Sequence, residues 1–460
     1  MTALDPNPKR PPAYAPTDAR YYDPVDLDQE IHRIFDVCHS CRMCLPYCPS
    51  FPDLFSRVDG YIQRGVAKGA EAIDAEDIKS VVDNCYQCKL CYIKCPYTED
   101  EGHPWLLDFP RIALREKAQR ARRDGVTLQD QVLGEPQMMG ELTTGPQARI
   151  ANFVNANSLV RRGIEKTIGI SAKFPLPKFA TESFAVWWHR HEPPANAGEA
   201  GEVAIFPTSY GEYNNPGPAI AAVEVLEAHG FSVFYPEGQT CCGMPNLDGG
   251  DVPRAQEKAK QNVAVLLPHA RKGRKIIIPG PTCSYAMIQE YPDLLGTPEA
   301  SEVAEACIDL MKFIDVELRR KKRLDRKKVT KPLGKVALQA PCHLRAQKIG
   351  FPAVQSLEAL GAEVEVVAEC SAVDGTWGMK AQYYETGRKY AQKMIRGMKE
   401  SEAETYVTDC PLSALRITHE TGKRSIHPIE LIAESLGIGA ASPRVPQGDL
   451  PGPREEDERP

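Results

Sequence analysis

Two stretches of this chain, CHSCRMCLPYCP at residues 38–49 and NCYQCKLCYIKCP at 84–96, space four cysteines as C-x2-C-x2-C-x3-C and follow the last with proline. A [4Fe–4S] cube takes four soft thiolates at its corners, and three cysteines two residues apart can wrap it in one tight loop. In the bacterial form of this spacing the fourth cysteine of each run ligates the other cluster. The expected ligand sets are therefore Cys38, Cys41, Cys44 and Cys95 for one cube, and Cys48, Cys85, Cys88 and Cys91 for the other. Pro49 and Pro96, each with a fixed φ, turn the chain away behind the distant ligand. The bland alternative, a pair of zinc knuckles, uses four ligands per site rather than this packed run. Two neighbouring cubes have one plain use, which is relaying single electrons.

The elements that must position these thiols are legible in the flanking periodicity. DLDQEIHRIFDVC carries Ile31, Ile34, Phe35 and Val37 on nearly one helical face, and AEDIKSVVDNC carries Ile78, Val81 and Val82. Each motif thus follows a helix, so residues 26–112 read as an α-helical ferredoxin module. Residues 113–200 (LREKAQRARRDG, SLVRRGIEKTIGI) read as a basic helical connector. From residue 201 short apolar runs alternate with helical stretches, which implies an α/β region with mainly parallel sheets. EVAIFPT, FSVFY and KIIIPG are the expected strands. GPAIAAVEVLEAHG and PRAQEKAKQNVAVLLPHARKG are the expected helices between them. The pattern then recurs. VAIFPTS at 203–209 matches VALQAPC at 336–342, LEAHGFSV matches LEALGAEV, and IIIPGPTCSYA has its counterpart in TYVTDCPLSAL. Residues 201–330 and 334–439 are therefore expected to be two copies of one fold, packed about a pseudo-two-fold axis. The Pro-rich, charged ends, 1–25 and 440–460, read as disordered tails.

Composition bounds the rest. The chain has 460 residues, too many for one ordinary core, with 42% hydrophobic and 26% charged residues. A net charge of -6 gives no reason to expect nucleic acid. No apolar run reaches the roughly 20 residues of a membrane-spanning helix, and the Pro-rich start is not a secretory signal. Fifteen cysteines without an export signal favour metal ligation over disulfides and a cytoplasmic setting, peripheral to the inner face of the membrane if docked on a partner there.

The cysteines of the two copies form an incomplete pattern. Superposing the copies gives five slots. The first copy has Ser209, Cys241, Cys242, Gly280 and Cys283; the second has Cys342, Cys370, Ser371, Cys410 and Ser413. Each copy retains three thiols, and only the slot of Cys241 and Cys370 is filled in both. His343 and His427, beside these thiols or at the start of HPIELIA, are expected to be hydrogen-bonded structural histidines. Cys307, in SEVAEACIDLMKFI, is expected to be core packing on one helical face. RRKKRLDRKK at 319–328 reads as a solvated link between the copies. FAVWWHRH at 184–191 reads as an aromatic patch packed against the ferredoxin module.

A ferredoxin module followed by two CCG repeats resembles the family of anaerobic glycerol-3-phosphate dehydrogenase C subunits. It is similar also to glycolate oxidase iron–sulfur subunits and heterodisulfide reductase subunits. SYGEYNNPG, CCGMP, GPTCSYAMIQEYP, PCHLR, GTWGMK, TDCPLSAL and HPIELIA carry the likeness, over about residues 26–437. The resemblance implies a subunit that passes electrons from a flavoprotein dehydrogenase towards a quinone pool, with a further cluster or metal in each complete repeat. Ser209 stands where that family has its first repeat cysteine, so neither repeat here offers the full five ligands. Three readings of the repeats follow. The triads Cys241/Cys242/Cys283 and Cys342/Cys370/Cys410 each hold a cluster or metal with a non-cysteine ligand; all six converge on one shared site; or only buried thiols remain.

No G-x-G-x-x-G opens a helix after a strand, so a chain with clusters and no hydride acceptor needs a partner to oxidise a substrate. No catalytic residue is assigned. The expected function is the non-flavin iron–sulfur subunit of an oxidoreductase complex, passing electrons to a quinone or membrane-linked acceptor. The alternatives are a heterodisulfide reductase-like subunit that reduces a disulfide itself, and a redox-sensing or scaffold subunit.

Overall fold

The first helix shows how local sequence fixes the site. Asp23 accepts hydrogen bonds from the backbone N–H of Val25 and Asp26, Pro24 opens helix α1 (Pro24–Cys41), and Arg42, in the left-handed conformation, closes it. α1 buries Leu27, Ile31, Ile34, Phe35 and Val37 against α2 (Ser50–Gln63) and α3 (Ala75–Asp83), the latter started by a reciprocal capping box between Asp74 and Asp77. A short α4 (Leu90–Lys94) carries Cys91, and α5 (Phe109–Asp124) packs Phe109, Ile112 and Ala113 into the same core. The computed structural model describes residues 2–373 and 375–439. The tail expected at 440–460 lies outside these residues.

The other expected tail is not loose. Arg115 of α5 is fully buried and donates from Nε to the carbonyl of Tyr21 at 2.8 Å and from a terminal nitrogen to that of Arg20. Gln119 adds a second hydrogen bond to the Tyr21 carbonyl, and the Tyr21 ring is itself buried. Composition misled here because a Pro-rich strap needs no core of its own when a buried guanidinium satisfies its carbonyls.

The connector follows as α6 (Leu128–Leu133), α7 (Pro136–Thr143), α8 (Ala148–Ala156), α9 (Ser158–Ile168) and α10 (Phe184–Trp188). Phe184 and Trp187 sit in the core shared by the repeats, with Tyr235 edge-on to Phe184, and not on the ferredoxin module as expected. A bulky apolar pair finds the nearer unfilled sheet surface.

Strands β1 (Gly201–Ile205), β2 (Phe231–Phe234), β3 (Lys275–Ile278) and β4 (Cys307–Asp309) form a parallel sheet in the order β2-β1-β3-β4. Strands β5 (Lys335–Gln339), β6 (Glu363–Val367), β7 (Thr405–Val407) and β8 (Ser425–Ile426) repeat it as β6-β5-β7-β8. Val203 and Val336 hold equivalent places, opposite Val233 and Lys275 in one sheet and Val364 and Thr405 in the other. Near-continuous apolar runs such as Ile276–Ile278 suit strands covered on both faces. One core draws Val203, Ile205 and Ile277 from the first sheet and Val336, Leu338 and Val407 from the second, so the copies are packed back to back.

Cys307 is core, but it opens β4 rather than riding a continuous helix. Asp309 ends that strand and caps the next turn, accepting from Met311 and Lys312. His427 does the same after β8.

Candidate iron–sulfur sites

The two motifs wind their loops in the same way. Arg42 and Lys89 each follow the second cysteine of their motif, and each is left-handed, with φ of 56° and 62°. A non-glycine residue in that region costs about 1–2 kcal/mol. The turn it makes brings the third cysteine round to face the first two.

The structure brings Cys38, Cys41, Cys44 and Cys95 onto the wall of one crevice, together with Val37, Phe51, Pro96, Tyr97 and Leu107. The distant cysteine of the second motif thus faces the first three of the first motif. Cys48, Cys85, Cys88 and Cys91 form the second group, all buried, whereas the first four are only partly buried. Burial pushes the Cys38 and Cys91 thiols well up, each further raised by neighbouring cysteines. The same cause pushes Cys44 up to about 12. Among the described residues no three His, Cys, Asp or Glu side chains converge as the ligands of one ion would. A cube spreads its thiolates over four irons, so its ligands stand wider apart than those of a single ion. Eight soft donors in two apolar-walled groups fit two such cubes in donor type and number.

Enclosed cations supply a second test of fit. Lys117 of α5 is half-buried along its stem, and its ammonium lies deep enough for burial to hold its pKa below the usual lysine range. Its Nζ donates to the carbonyl of Cys85 at 3.0 Å. It forms no ion pair with a carboxylate among the described residues. Lys89, which is buried, reaches Glu290 of the first repeat at 3.3 Å and donates to Gln87 Oε1 at 3.0 Å. An enclosed ammonium is costly unless anions face it, and the Asp83 and Asp248 carboxylates lie near Lys117. Thiolates at Cys85 and its group would add to them.

The second group lies against the second repeat. Cys342 and Cys370 pack on the ferredoxin core, with Cys370 Sγ 3.8 Å from the Tyr86 hydroxyl. Tyr86 meets Trp377 at a ring separation of 4.9 Å, and Trp377 Nε1 donates to the Asp83 carbonyl at 2.8 Å. His343 joins three regions. Its Nε2 bonds the Gln87 carbonyl of the ferredoxin module at 3.2 Å, and its Nδ1 meets Thr282 Oγ1 of the first repeat at 3.0 Å. Burial holds its pKa down, to about 4. His427 bonds the Pro279 carbonyl through Nε2 at 2.9 Å and accepts from the Ile429 N–H through Nδ1. Both are buried and hydrogen-bonded through both ring nitrogens.

In the first repeat the Cys242 thiol contacts those of Cys241 and Cys283. Their turn is pinned from behind. Asn262 donates to the Cys241 carbonyl, Tyr291 to the Cys242 carbonyl, and Gln137 accepts from the Cys241 N–H. Gly243 completes it with φ of 84°, where a Cβ would press on the Ala255 backbone at 3.3 Å. In the second repeat the equivalents of Cys242 and Cys283 are Ser371 and Ser413, and Ser413 Oγ donates to Ser371 Oγ at 2.9 Å. The slots therefore correspond in space, with a hydroxyl pair where the first copy has a thiol pair. Ser209 lies beside a separate crevice between the repeats, lined by Thr208, Gly280, Thr408, Asp409 and His427.

Sequence periodicity did not reveal Lys117, Glu290 or Tyr86. Lys117 hides in a run that reads as a basic helical connector, and Tyr86 is one aromatic residue inside a cysteine motif. Trp377, in GTWGMK, was visible only as part of the family likeness.

Fold and thiol groups together define an iron–sulfur electron-transfer protein with two cysteine-rich repeats. The sequence matches the 4Fe-4S dicluster domain over residues 34–98 and the cysteine-rich CCG domain over 203–288 and 336–417. It is 30% identical over 339 residues to the C subunit of anaerobic glycerol-3-phosphate dehydrogenase of Escherichia coli K12, covering 71% of this chain and 82% of that one. The B subunit of the CoM/CoB fumarate reductase of Methanothermobacter marburgensis is 24% identical over 48% of this chain and 42% of its own. Lactate utilization protein A of Shouchella clausii is 32% identical over 24% of this chain and 47% of its own. The chain belongs to the family of anaerobic glycerol-3-phosphate dehydrogenase C subunits.

Proposed function

We propose that this chain is the relay between a flavoprotein dehydrogenase and a quinone or other membrane-linked acceptor. Cys38, Cys41, Cys44 and Cys95 would hold one [4Fe–4S] cluster and Cys48, Cys85, Cys88 and Cys91 the other; when bound, these groups supply one-electron transfer. The observation that carries the reading is the difference in placement of the two thiol groups. The first opens beside Met43 and Leu45, large apolar side chains 52% and 49% exposed on the motif loop, as a docking donor would require. The second is buried against the second repeat. Residues 26–112 form the relay module on this reading, and 201–330 and 334–439 the repeats that receive from it.

The connector supports an attachment role. α8 buries only Ala148 and α9 only Arg161, while Ile150, Phe153 and Leu159 are 70%, 73% and 74% exposed. Arg149, Arg162 and Lys166 flank them on the same hairpin. An apolar tip with a basic rim suits a peripheral position on an anionic membrane surface. Among the described residues no helix is long and apolar enough to cross a membrane.

The repeats keep Cys241, Cys242, Cys283, Cys342, Cys370 and Cys410 for a further cluster or metal. The hydroxyl pair Ser371–Ser413 weighs against the heterodisulfide reductase-like alternative, which needs a complete ligand set at the reacting site. The test is anaerobic purification with iron and sulfide analysis. About eight of each per chain is expected from two cubes, and more if the repeats are loaded. Colourless protein without a paramagnetic signal after dithionite would end the proposal.

A further inference from the structure

The internal symmetry of the ferredoxin module makes its two thiol groups a controlled comparison. Each motif loop carries one cation after its second cysteine, and each cation has a carboxylate partner: Arg42 pairs with Asp59, and Lys89 with Glu290. Arg33, the other buried cation near the first group, is neutralised by Glu30. The two pairs differ in setting, since Arg42 and Asp59 lie at the surface and Lys89 and Glu290 are buried. Two further differences separate the groups. The second group is buried where the first is only partly buried, and only the second has Lys117 beside it.

These differences push in opposite directions. A buried redox centre resists gaining an electron because the added negative charge loses solvation, whereas a nearby unpaired cation favours it. On burial alone the second centre would be the poorer acceptor, and electrons would stop at the exposed first one. Lys117 acts on the backbone of a ligand, its Nζ hydrogen-bonded to the Cys85 carbonyl, and its other hydrogen bond goes to the carbonyl of Asp248 at 3.4 Å. The charged groups acting on it are the Asp83 and Asp248 carboxylates and the Lys380 ammonium. Low local dielectric makes a charge hydrogen-bonded to a ligand's own backbone effective even with these carboxylates nearby.

We propose that Lys117 is the residue that makes the inner, Cys85-side centre the better electron acceptor of the two, so that electrons entering at the exposed loop come to rest beside the second repeat. The inference rests on the two-cluster reading above. One electron moves, no bond forms or breaks, and no proton is required. Lys117 acts through charge and is no ligand, so its signature is a potential rather than a loss of iron.

The experiment is a redox titration, followed by paramagnetic resonance, of the full chain purified without oxygen, with Lys117→Met and Lys117→Arg beside the wild type. Lys117→Met is expected to weaken electron uptake at one centre about tenfold, which is about 59 mV for a one-electron couple, and to leave the other unchanged. Lys117→Arg should restore the wild-type value. Equal shifts at both centres, or none, in protein with full iron content would overturn the proposal while leaving the relay reading intact. If Lys117→Met fails to load iron, Lys117→Gln decides. It keeps a hydrogen-bond donor without the charge and should lower the same centre's midpoint, and an unchanged midpoint there would equally sink the idea. Absence of iron from the wild type would instead remove the reading on which this rests.

Discussion

Cys95 belongs to the second motif in sequence and to the first thiol group in space. Cys95→Ser is therefore expected to alter the spectrum of the centre otherwise held by Cys38, Cys41 and Cys44, and Cys91→Ser that of the other; resonance spectra of the two variants, reversed in assignment, would refute the crossing. His427 gives a pH prediction of known sign. Burial lowers its folded pKa to about 4, below the roughly 6.5 of an exposed histidine. Between these values the unfolded chain binds the extra proton, so stability is fully present above about pH 6.5. It is lost as pH falls towards 4, at about 1.4 kcal/mol per pH unit. Denaturant titrations from pH 7 to 4.5 should show this slope flattened in His427→Asn. At this scale the crossed grouping of the eight cysteines was readable because their spacing is a strict local constraint. Lys117 was not, because its meaning depends on enclosure by elements far apart in sequence.

Single elements carry the join between modules. Trp377 stacks on Tyr383 at 4.6 Å, meets Tyr86, and bonds the Asp83 carbonyl, so one short segment of the second repeat grips the ferredoxin core. Trp377→Ala should cost about 3–5 kcal/mol, read as a lowered melting temperature and as faster proteolysis near residue 85. The α8–α9 hairpin makes the opposite prediction. Phe153→Ser with Leu159→Ser touches no core, so stability should change by less than about 0.5 kcal/mol, while sedimentation with anionic vesicles should fall steeply. Retained sedimentation would exclude the hairpin as the attachment face. The strands β1, β2 and β3 were legible as apolar runs. β4 was not, because three residues between two helices leave no periodicity to read, and its helical flanks carried the pattern across it.

At the scale of the whole molecule, repetition was the most legible feature. Matching apolar runs exposed two copies of one sheet, and the structure adds that they share a core and keep their cysteine slots in register, down to a hydroxyl pair in place of a thiol pair. What sequence could not give was the docking of the ferredoxin module, because it depends on contacts between distant segments such as Lys89 with Glu290 and His343 with both Gln87 and Thr282.

That three-way junction has a consequence for biogenesis. Once His343 is seated, the inner thiol group is covered on the side of the second repeat, so on the two-cluster proposal a carrier delivering iron and sulfide would have to reach it before the halves close. Maturation should then run in a fixed order, inner centre first and closure second, with the outer centre replaceable afterwards. Pulse-labelled iron exchanging at the inner position as fast as at the outer one would contradict that order.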